Sequence, residues 1–231
     1  MFKTQAPTMR LTLRVLAHLL RYPDAELRAH LDELADALQL EAAVPGKRLD
    51  ELLTLICRLG AQDALQVESD YVELFDRGRS TALHLFEHVH GDSRDRGPAM
   101  IDLAQTYEKA GLFLAPEELP DHLCVVLEFA STQPPALAKA FLGEVAHILN
   151  AIFSALLKRE SPYAAVIAAV LELAGQKAQA VAIPVEESLD DSWAEPEAFD
   201  GCSTRGQNRP GEAQPIHIVR QKPNASQGVA A

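Results

Sequence analysis

Apolar residues recur at intervals of three and four along most of the first 183 residues. This spacing places one side of a helix against a core, so it predicts a series of amphipathic helices. The predicted helices cover about residues 13–20, 27–38, 49–59, 67–75, 100–107, 120–130 and 135–158, and a last one begins at Ser161–Pro162. Strand-like alternation between these stretches is lacking. The pattern therefore predicts an all-α fold, a single helical bundle of about eight or nine helices.

The character of the chain changes after residue 183. The segment 184–231 holds five prolines and four glycines, and its only aromatic residues are Trp193 and Phe199. Residues 186–200 carry seven carboxylates and no basic side chain. Such a segment buries too little apolar surface to offset the entropy lost on ordering. We expect an all-α domain over residues 1–183 and a flexible tail over 184–231, first acidic and then weakly basic.

The chain is acidic. Its 231 residues include 21 Lys and Arg against 33 Asp and Glu, a formal net charge of −12. A field of this sign repels phosphates and attracts basic partners, so nucleic acid is not expected as a partner.

Cysteine spacing and the N-terminal sequence bear on the compartment. Cys57, Cys124 and Cys202 are far apart and form no Cys-x-x-Cys motif, which suits a reducing environment. The apolar run 11–20 is interrupted by Arg14, so it does not resemble a signal peptide. We expect a cytoplasmic protein that does not insert into a membrane.

The densest polar cluster lies at residues 84–97. One interpretation is a metal site, and with it a metal-dependent hydrolase, built on His84, His88, His90 and Asp92. The other interpretation, which we prefer, is a structural turn between two glycines in which alternating charges at 92–96 pair with one another. On that basis no metal ion is expected, and Asp95→Ala should lower the stability of the protein.

A second polar motif is formed by residues 118–123. Pro120 suits the first turn of a helix, where Asp121 would complement the helix dipole. The adjacent Asp121 and His122 would point about 100° apart on a helix, and no nucleophile motif accompanies them. We therefore expect no catalytic residues.

Several of these segments resemble the NarJ family, the assembly chaperones of membrane-bound respiratory nitrate reductase. The most specific resemblance covers Leu85–Met100, and Tyr71–Asp76 and Glu118–Leu123 fall where the family has its other two motifs. The last of these is shared with the wider TorD-like chaperones of molybdoenzymes. The tail segment Trp193–Phe199 also resembles NarJ-family sequences.

The resemblance implies an all-α chaperone without enzymatic activity. Such a protein would bind the apo catalytic (alpha) subunit of nitrate reductase in the cytoplasm, partly through that subunit's N-terminal peptide. It would keep the subunit competent for insertion of iron–sulfur clusters and the molybdenum cofactor, delay docking to the membrane anchor, and then leave. It would itself hold no cofactor stably. The alternative within the wider family is a chaperone for another molybdoenzyme.

The motif-bearing segments also suggest where a client peptide would bind. A basic peptide helix needs an apolar groove with acidic rims. The residues predicted to line this groove are Tyr71, Phe75, Glu87, His88, Asp92, Arg94, Asp95, Asp121, His122 and Glu128. Tyr71 and Phe75 share a helix face, although they could equally be plain core. Asp121 and Glu128 are two turns apart and could edge one groove, and a partly exposed His122 would titrate near neutrality.

Overall fold

The computed structural model describes residues 8–91 and 93–182 and confirms the all-α prediction. These residues form ten α-helices: α1 (Arg10–Leu19), α2 (Ala25–Ala29), α3 (Leu31–Glu41), α4 (Gly46–Ala61), α5 (Ala64–Tyr71), α6 (Arg96–Lys109), α7 (Leu123–Thr132), α8 (Pro135–Glu144), α9 (Ala146–Lys158) and α10 (Ala164–Leu173). A π-helical turn, Val72–Asp76, continues α5, and two short 3₁₀ turns follow at Arg79–Thr81 and Leu85–Glu87.

Two of the predicted helices are each divided in the structure. The helix predicted over 27–38 is broken at His30, whose backbone angles (φ −107°, ψ 9°) leave the helical region. The helix predicted over 135–158 is broken at Val145, and α8 and α9 meet at a bend of 67°. Apolar spacing continues through both breaks because the residues on each side still face the interior, so spacing alone could not reveal them.

Two carboxylates fix the N-termini of early helices. The Asp24 side chain accepts a hydrogen bond from the Leu27 N–H, as expected of a residue preceding α2. Glu41, at the end of α3, accepts hydrogen bonds from the Thr12 N–H (2.6 Å) and the Thr8 hydroxyl (2.8 Å). Because Thr12 lies in the first turn of α1, Glu41 supplies from another helix the acceptor that α1 lacks locally.

The main core is built around α1, α7 and α10. α1 packs along α7 and also contacts α3 and α10. α10 is buried on all sides. All ten of its residues are described, and every one except Glu172 is buried. Glu172 meets the Arg48 guanidinium of α4 at 2.9 Å, so the charge is paired where α10 passes between its neighbours.

A second, smaller apolar cluster lies beside the main core. Tyr107 of α6 packs there against Val125 and Phe129 of α7. The helix α7 therefore contributes to both clusters, since Leu123, Val126 and other residues on its opposite side belong to the main core.

Among the described residues, no single helix is long and apolar enough to cross a membrane. The bent pair α8 and α9 passes that test when the two are taken together.

The boundary predicted near residue 183 coincides with the end of the described chain. The expected tail, including Trp193 and Phe199, lies outside the described residues and stays a prediction.

Candidate functional site

The segments around His84 and His122 are joined by backbone hydrogen bonds. The Leu85 N–H donates to the Asp121 carbonyl (3.1 Å), and the Leu123 N–H donates to the Leu83 carbonyl (2.9 Å). This pattern is an isolated antiparallel β-bridge, His84 opposite His122. Two of the three motifs identified in the sequence thereby lie side by side, although His84 and Asp121 are 37 positions apart in the sequence.

Asp121 lies at the centre of this junction and is completely buried. Its Oδ2 accepts the Phe86 N–H (3.1 Å), and its Oδ1 lies 3.3 Å from Nδ1 of His84. The Arg96 guanidinium lies 3.8 Å from Oδ2 and 3.3 Å from the Glu87 carboxylate. We refer to Asp121, His84, Arg96 and Glu87 as the Asp121 network.

The contacts within the network shift the pKa values of Asp121 and His84. Burial alone would raise the pKa of Asp121, but the hydrogen bonds from His84 and Phe86 and the positive charges of His84 and Arg96 lower it below the usual value. The hydrogen bond with Asp121 raises the pKa of His84, against the opposing effect of burial. The network therefore favours the ionised form of Asp121 and the protonated form of His84.

The pKa of His122 is shifted in the direction opposite to that of His84. Burial, reinforced by the charge of His84, lowers the pKa of His122 to about 4, although Asp121 opposes this shift. The rings of His84 and His122 meet edge to face with centroids 4.8 Å apart. The expectation that His122 titrates near neutrality is wrong, because the bridge buries the ring beside a cation.

The position of Asp121 also corrects two sequence-based interpretations. The helix begins at Leu123, so Pro120 precedes it, and the Pro120 carbonyl accepts the Tyr107 hydroxyl (2.8 Å). The Asp121 side chain turns away from α7 towards Phe86, and its full burial excludes it from the edge of an open groove.

The remaining charges of the 84–97 cluster are less tightly held than predicted. Arg96 pairs with Glu87 inside the segment but also with Asp121 outside it. Asp95 is exposed, and its carboxylate contacts the Ser93 hydroxyl at 3.3 Å. Arg94 is exposed, and Asp92 lies outside the described residues.

The histidines of the cluster have separate partners. His84 faces Asp121, the Nε2 atom of His88 lies 2.9 Å from the Ala82 carbonyl oxygen, and the His90 ring packs against Phe86. Within residues 8–91 and 93–182, no group of three His, Cys, Asp or Glu side chains could hold a metal ion.

Tyr71 and Phe75 belong to the main core. They are 7% and 5% exposed, and the Tyr71 hydroxyl donates to the Leu20 carbonyl (2.8 Å). Their rings pack on each other and on Tyr163. The sequence left open whether Tyr71 and Phe75 line a groove or belong to the core, and the structure places both side chains in the core.

An open groove lies next to the Asp121 network, along α7. It consists of two adjoining hollows of about 410 and 220 Å³ that share Glu118 and Val125. The apolar and aromatic side chains that line it are Tyr107, Leu112, Phe113, Leu114, Leu119, Cys124, Val125 and Phe129. The acidic ones are Glu117, Glu118 and Glu128, the cationic ones are Arg14 and Arg21, and His84, His122, Ser131 and Thr132 complete the lining. We call this surface the α7 groove.

The α7 groove contains two of the ten predicted site residues. His122 lies in its wall, and Glu128 lies at its rim, 2.6 Å from the Arg21 guanidinium. The sequence interpretation missed Phe113, which is 80% exposed, and the adjacent pair Glu117 and Glu118. The available signal was an apolar run followed by two glutamates, the second of which begins the 118–123 motif.

Comparison with known proteins finds similar sequences among nitrate reductase assembly chaperones. The family model described as nitrate reductase delta subunit matches residues 20–169. The nitrate reductase molybdenum cofactor assembly chaperone NarJ of Escherichia coli K12 is 40% identical over 191 residues, which cover 81% of this chain and 80% of that protein. A probable chaperone of the same name from Bacillus subtilis is 30% identical and covers 70% of this chain and 87% of the relative.

The fold is also found in a solved structure. A crystal structure described as a putative redox enzyme maturation protein from Archaeoglobus fulgidus superposes with a TM-score of 0.52 at 21% sequence identity. The match covers 76% of this chain and 98% of that one. At this identity the likeness concerns the fold alone.

Replacing Asp121 should destabilise the protein much more than replacing Asp95. Asp121→Ala leaves the Phe86 N–H and the charge of Arg96 without their acceptor in a buried site, which costs about 2–4 kcal/mol. Asp95→Ala removes one exposed contact and should cost less than about 0.5 kcal/mol, so we now expect the stability loss predicted from the sequence to be small. Urea unfolding of both variants tests this, and equal losses would show that the Asp121 network is not the stabilising element.

The depressed pKa of His122 makes stability fall on the acidic side of neutrality. The unfolded chain binds a proton at His122 near pH 6.5 whereas the folded chain does so near pH 4, so protons favour unfolding between these values. Lowering the pH from 7 to 4 should reduce the free energy of unfolding by on the order of 2 kcal/mol through His122. This part of the pH dependence should vanish in His122→Asn and persist in a control variant of exposed His147; an identical profile in His122→Asn would refute the assignment.

Proposed function

The chain belongs to the nitrate reductase delta subunit family, and on this premise we propose that it is an assembly chaperone for a nitrate reductase, assisting molybdenum cofactor insertion. The observation that carries the proposal is the 40% identity to a chaperone so named, over four fifths of both chains. The family relationship supports a role in maturation and not catalysis. The site fits that role, because its buried polar groups are engaged with one another and its open surface is a groove.

The proposed client is the apo catalytic subunit, recognised in part by its N-terminal peptide. The α7 groove supports this assignment. A basic amphipathic helix could place its apolar face on Val125 and Phe113 and its cationic side chains near Glu117, Glu118 and Glu128. The overall charge of −12 would steer such a peptide to the protein.

The ion pair between Arg21 and Glu128 suits exchange with a client. Their side chains are 43% and 38% exposed, and an exposed pair of this kind contributes little to stability. A client arginine can therefore take the place of Arg21 on Glu128 at small cost, and the reverse exchange assists release.

Of the ten residues predicted for client binding, the structure supports a direct role most clearly for His122 and Glu128. Glu87 is partly buried and belongs to the Asp121 network through its contact with Arg96, beside the groove but not in its lining. His88, Arg94, Asp95 and Asp92 belong to the adjoining segment, and we retain them as secondary candidates. For Tyr71, Phe75 and Asp121 we propose a supporting role that keeps the groove in shape.

The proposed sequence of events takes place in the cytoplasm. The chaperone binds the apo subunit, keeps it competent for insertion of iron–sulfur clusters and the molybdenum cofactor, and delays its docking to the membrane anchor. It then leaves and is not part of the mature enzyme. In this scheme the chaperone acts on the client and holds no cofactor stably.

Deleting the chain from its own organism should abolish or strongly reduce nitrate reductase activity while the catalytic subunit is still made, because that subunit would lack molybdenum cofactor. The measurement is the molybdenum content and activity of the purified subunit, with another molybdoenzyme of the same cell as the control. Loss of the other molybdoenzyme alone would contradict the proposal and favour a chaperone with a different client.

Neutralising the acidic rim should weaken binding of the client's N-terminal peptide. Glu117→Gln combined with Glu118→Gln removes two exposed carboxylates without changing shape, and we expect roughly a 3- to 10-fold weaker affinity at low salt. The difference should shrink as salt screens the attraction. Asp50→Asn, an exposed change on α4, is the matched control. If calorimetry gives equal dissociation constants for the double variant and the wild type at low salt, the acidic rim is not part of the binding site.

A further inference from the structure

The helix α6 buries a smaller share of its residues than any other α-helix of the described chain. All fourteen of its residues are described, and Tyr107 is the one that is buried. α10, with ten residues, buries nine. Segments with so few buried contacts open at a lower free-energy cost than the rest of a protein.

The attachments of α6 differ at its two ends. At the N-terminal end, Arg96 pairs with Glu87 and Asp121 and so connects the helix to the Asp121 network. Towards the other end, the Tyr107 hydroxyl donates to the Pro120 carbonyl (2.8 Å), and the ring lies 4.6 Å from that of Phe129. Beyond α6 the backbone turns at Gly111, whose φ of +81° is readily adopted only by glycine.

Under α6 lies the smaller apolar cluster. Val125 and Phe129 of α7 form its floor together with Phe141 of α8, and Leu103 and Tyr107 of α6 cover it. Val125 and Phe129 also line the α7 groove, so this floor continues into the groove. Moving α6 away would extend the groove by an apolar surface suited to the side chains of one helix face.

We propose that α6 is a displaceable helix: a client peptide helix takes its place on Val125, Phe129 and Phe141, while α6 swings outward about its Arg96 end. This inference rests on the proposed function and identifies the surface on which the client's apolar face docks. The occupant is the client peptide because the floor is continuous with the acidic rim of the α7 groove.

Charge gives the client helix an advantage over α6. No ion pair joins α6 to Glu117, Glu118 or Glu128 within the described chain, since its pairing cation, Arg96, is bound to Glu87 and Asp121. A basic amphipathic helix would satisfy both the apolar floor and these carboxylates. Such a difference in contacts is what a ligand needs in order to shift a population from the closed to the open arrangement.

The mechanism makes an unusual prediction for Tyr107→Phe. This change removes only the hydrogen bond to the Pro120 carbonyl and keeps the ring, so it weakens the closed arrangement without altering the floor. We expect the variant to bind the client's N-terminal peptide about 2- to 10-fold more tightly than the wild type. If α6 were a fixed wall of the groove, Tyr107→Phe would bind the peptide equally well or less well than the wild type, because it has lost a contact.

The experiment uses the full chain and a synthetic peptide of the N-terminal segment of the nitrate reductase catalytic subunit from the same organism. Calorimetry compares the wild type, Tyr107→Phe and a control, Tyr163→Phe, which removes the hydroxyl of a buried tyrosine in the main core. Hydrogen exchange should show faster exchange over residues 96–109 when the peptide is added, and slower exchange over residues 123–132. The control should leave both the affinity and the exchange of α6 unchanged.

Two results would overturn the proposal in distinguishable ways. If the peptide binds but protects residues 96–109, or if Tyr107→Phe fails to bind more tightly, α6 is a fixed wall and the proposed function stands. If the wild-type protein does not bind the peptide at all, peptide recognition in the proposed function falls together with this inference.

Discussion

The arrangement of the site depends on one buried carboxylate. A charged group with no exposure is costly unless it is fully paired, and Asp121 is paired with His84, Arg96 and the Phe86 N–H. These partners come from segments 25 to 37 residues away in sequence. Satisfying the charge therefore brings the start of α6, the start of α7 and the turn between residues 84 and 87 to one place, and the α7 groove lies beside that junction.

The helices could be predicted from the sequence because they depend on local spacing, whereas their interruptions could not. Leu27, Leu31 and Leu34 keep helical spacing across the break at His30, since both short helices turn their leucines inward. The break at Val145 is similar: α8 bends away by 67° to pack on α7 while α9 packs on α10. In both cases the cause is packing against other helices, which leaves no mark in the periodicity.

For the site, the sequence indicated two segments that the structure brings together, and it misjudged several roles within them. Asp121 follows a proline and precedes an apolar run, which is typical of an exposed residue at a helix N-terminus. Its burial is decided by Phe86 and Arg96, which no local pattern connects to it. The alternating charges around Asp95 suggested internal pairing. Arg96 does pair with Glu87 inside the segment (3.3 Å), but it also lies 3.8 Å from the Asp121 carboxylate outside it.

α7 connects the main core of the domain to the α7 groove, the surface that we propose binds the client. Eight of its ten residues, all within the described chain, are buried. Leu127 and its neighbours on one side are fixed in the main core, which holds the helix in place. Val125 and Phe129 on the other side pack with Phe141 of α8, are covered by the lightly attached α6 and border the groove. Under the proposed function the protein must both bind and release an unfinished enzyme, which needs contacts that are individually weak but are presented by a rigid element. A helix held firmly on one face and covered loosely on the other meets that requirement. The buried carboxylate at the N-terminal end of α7 would keep its position constant if the cover moves, as we propose.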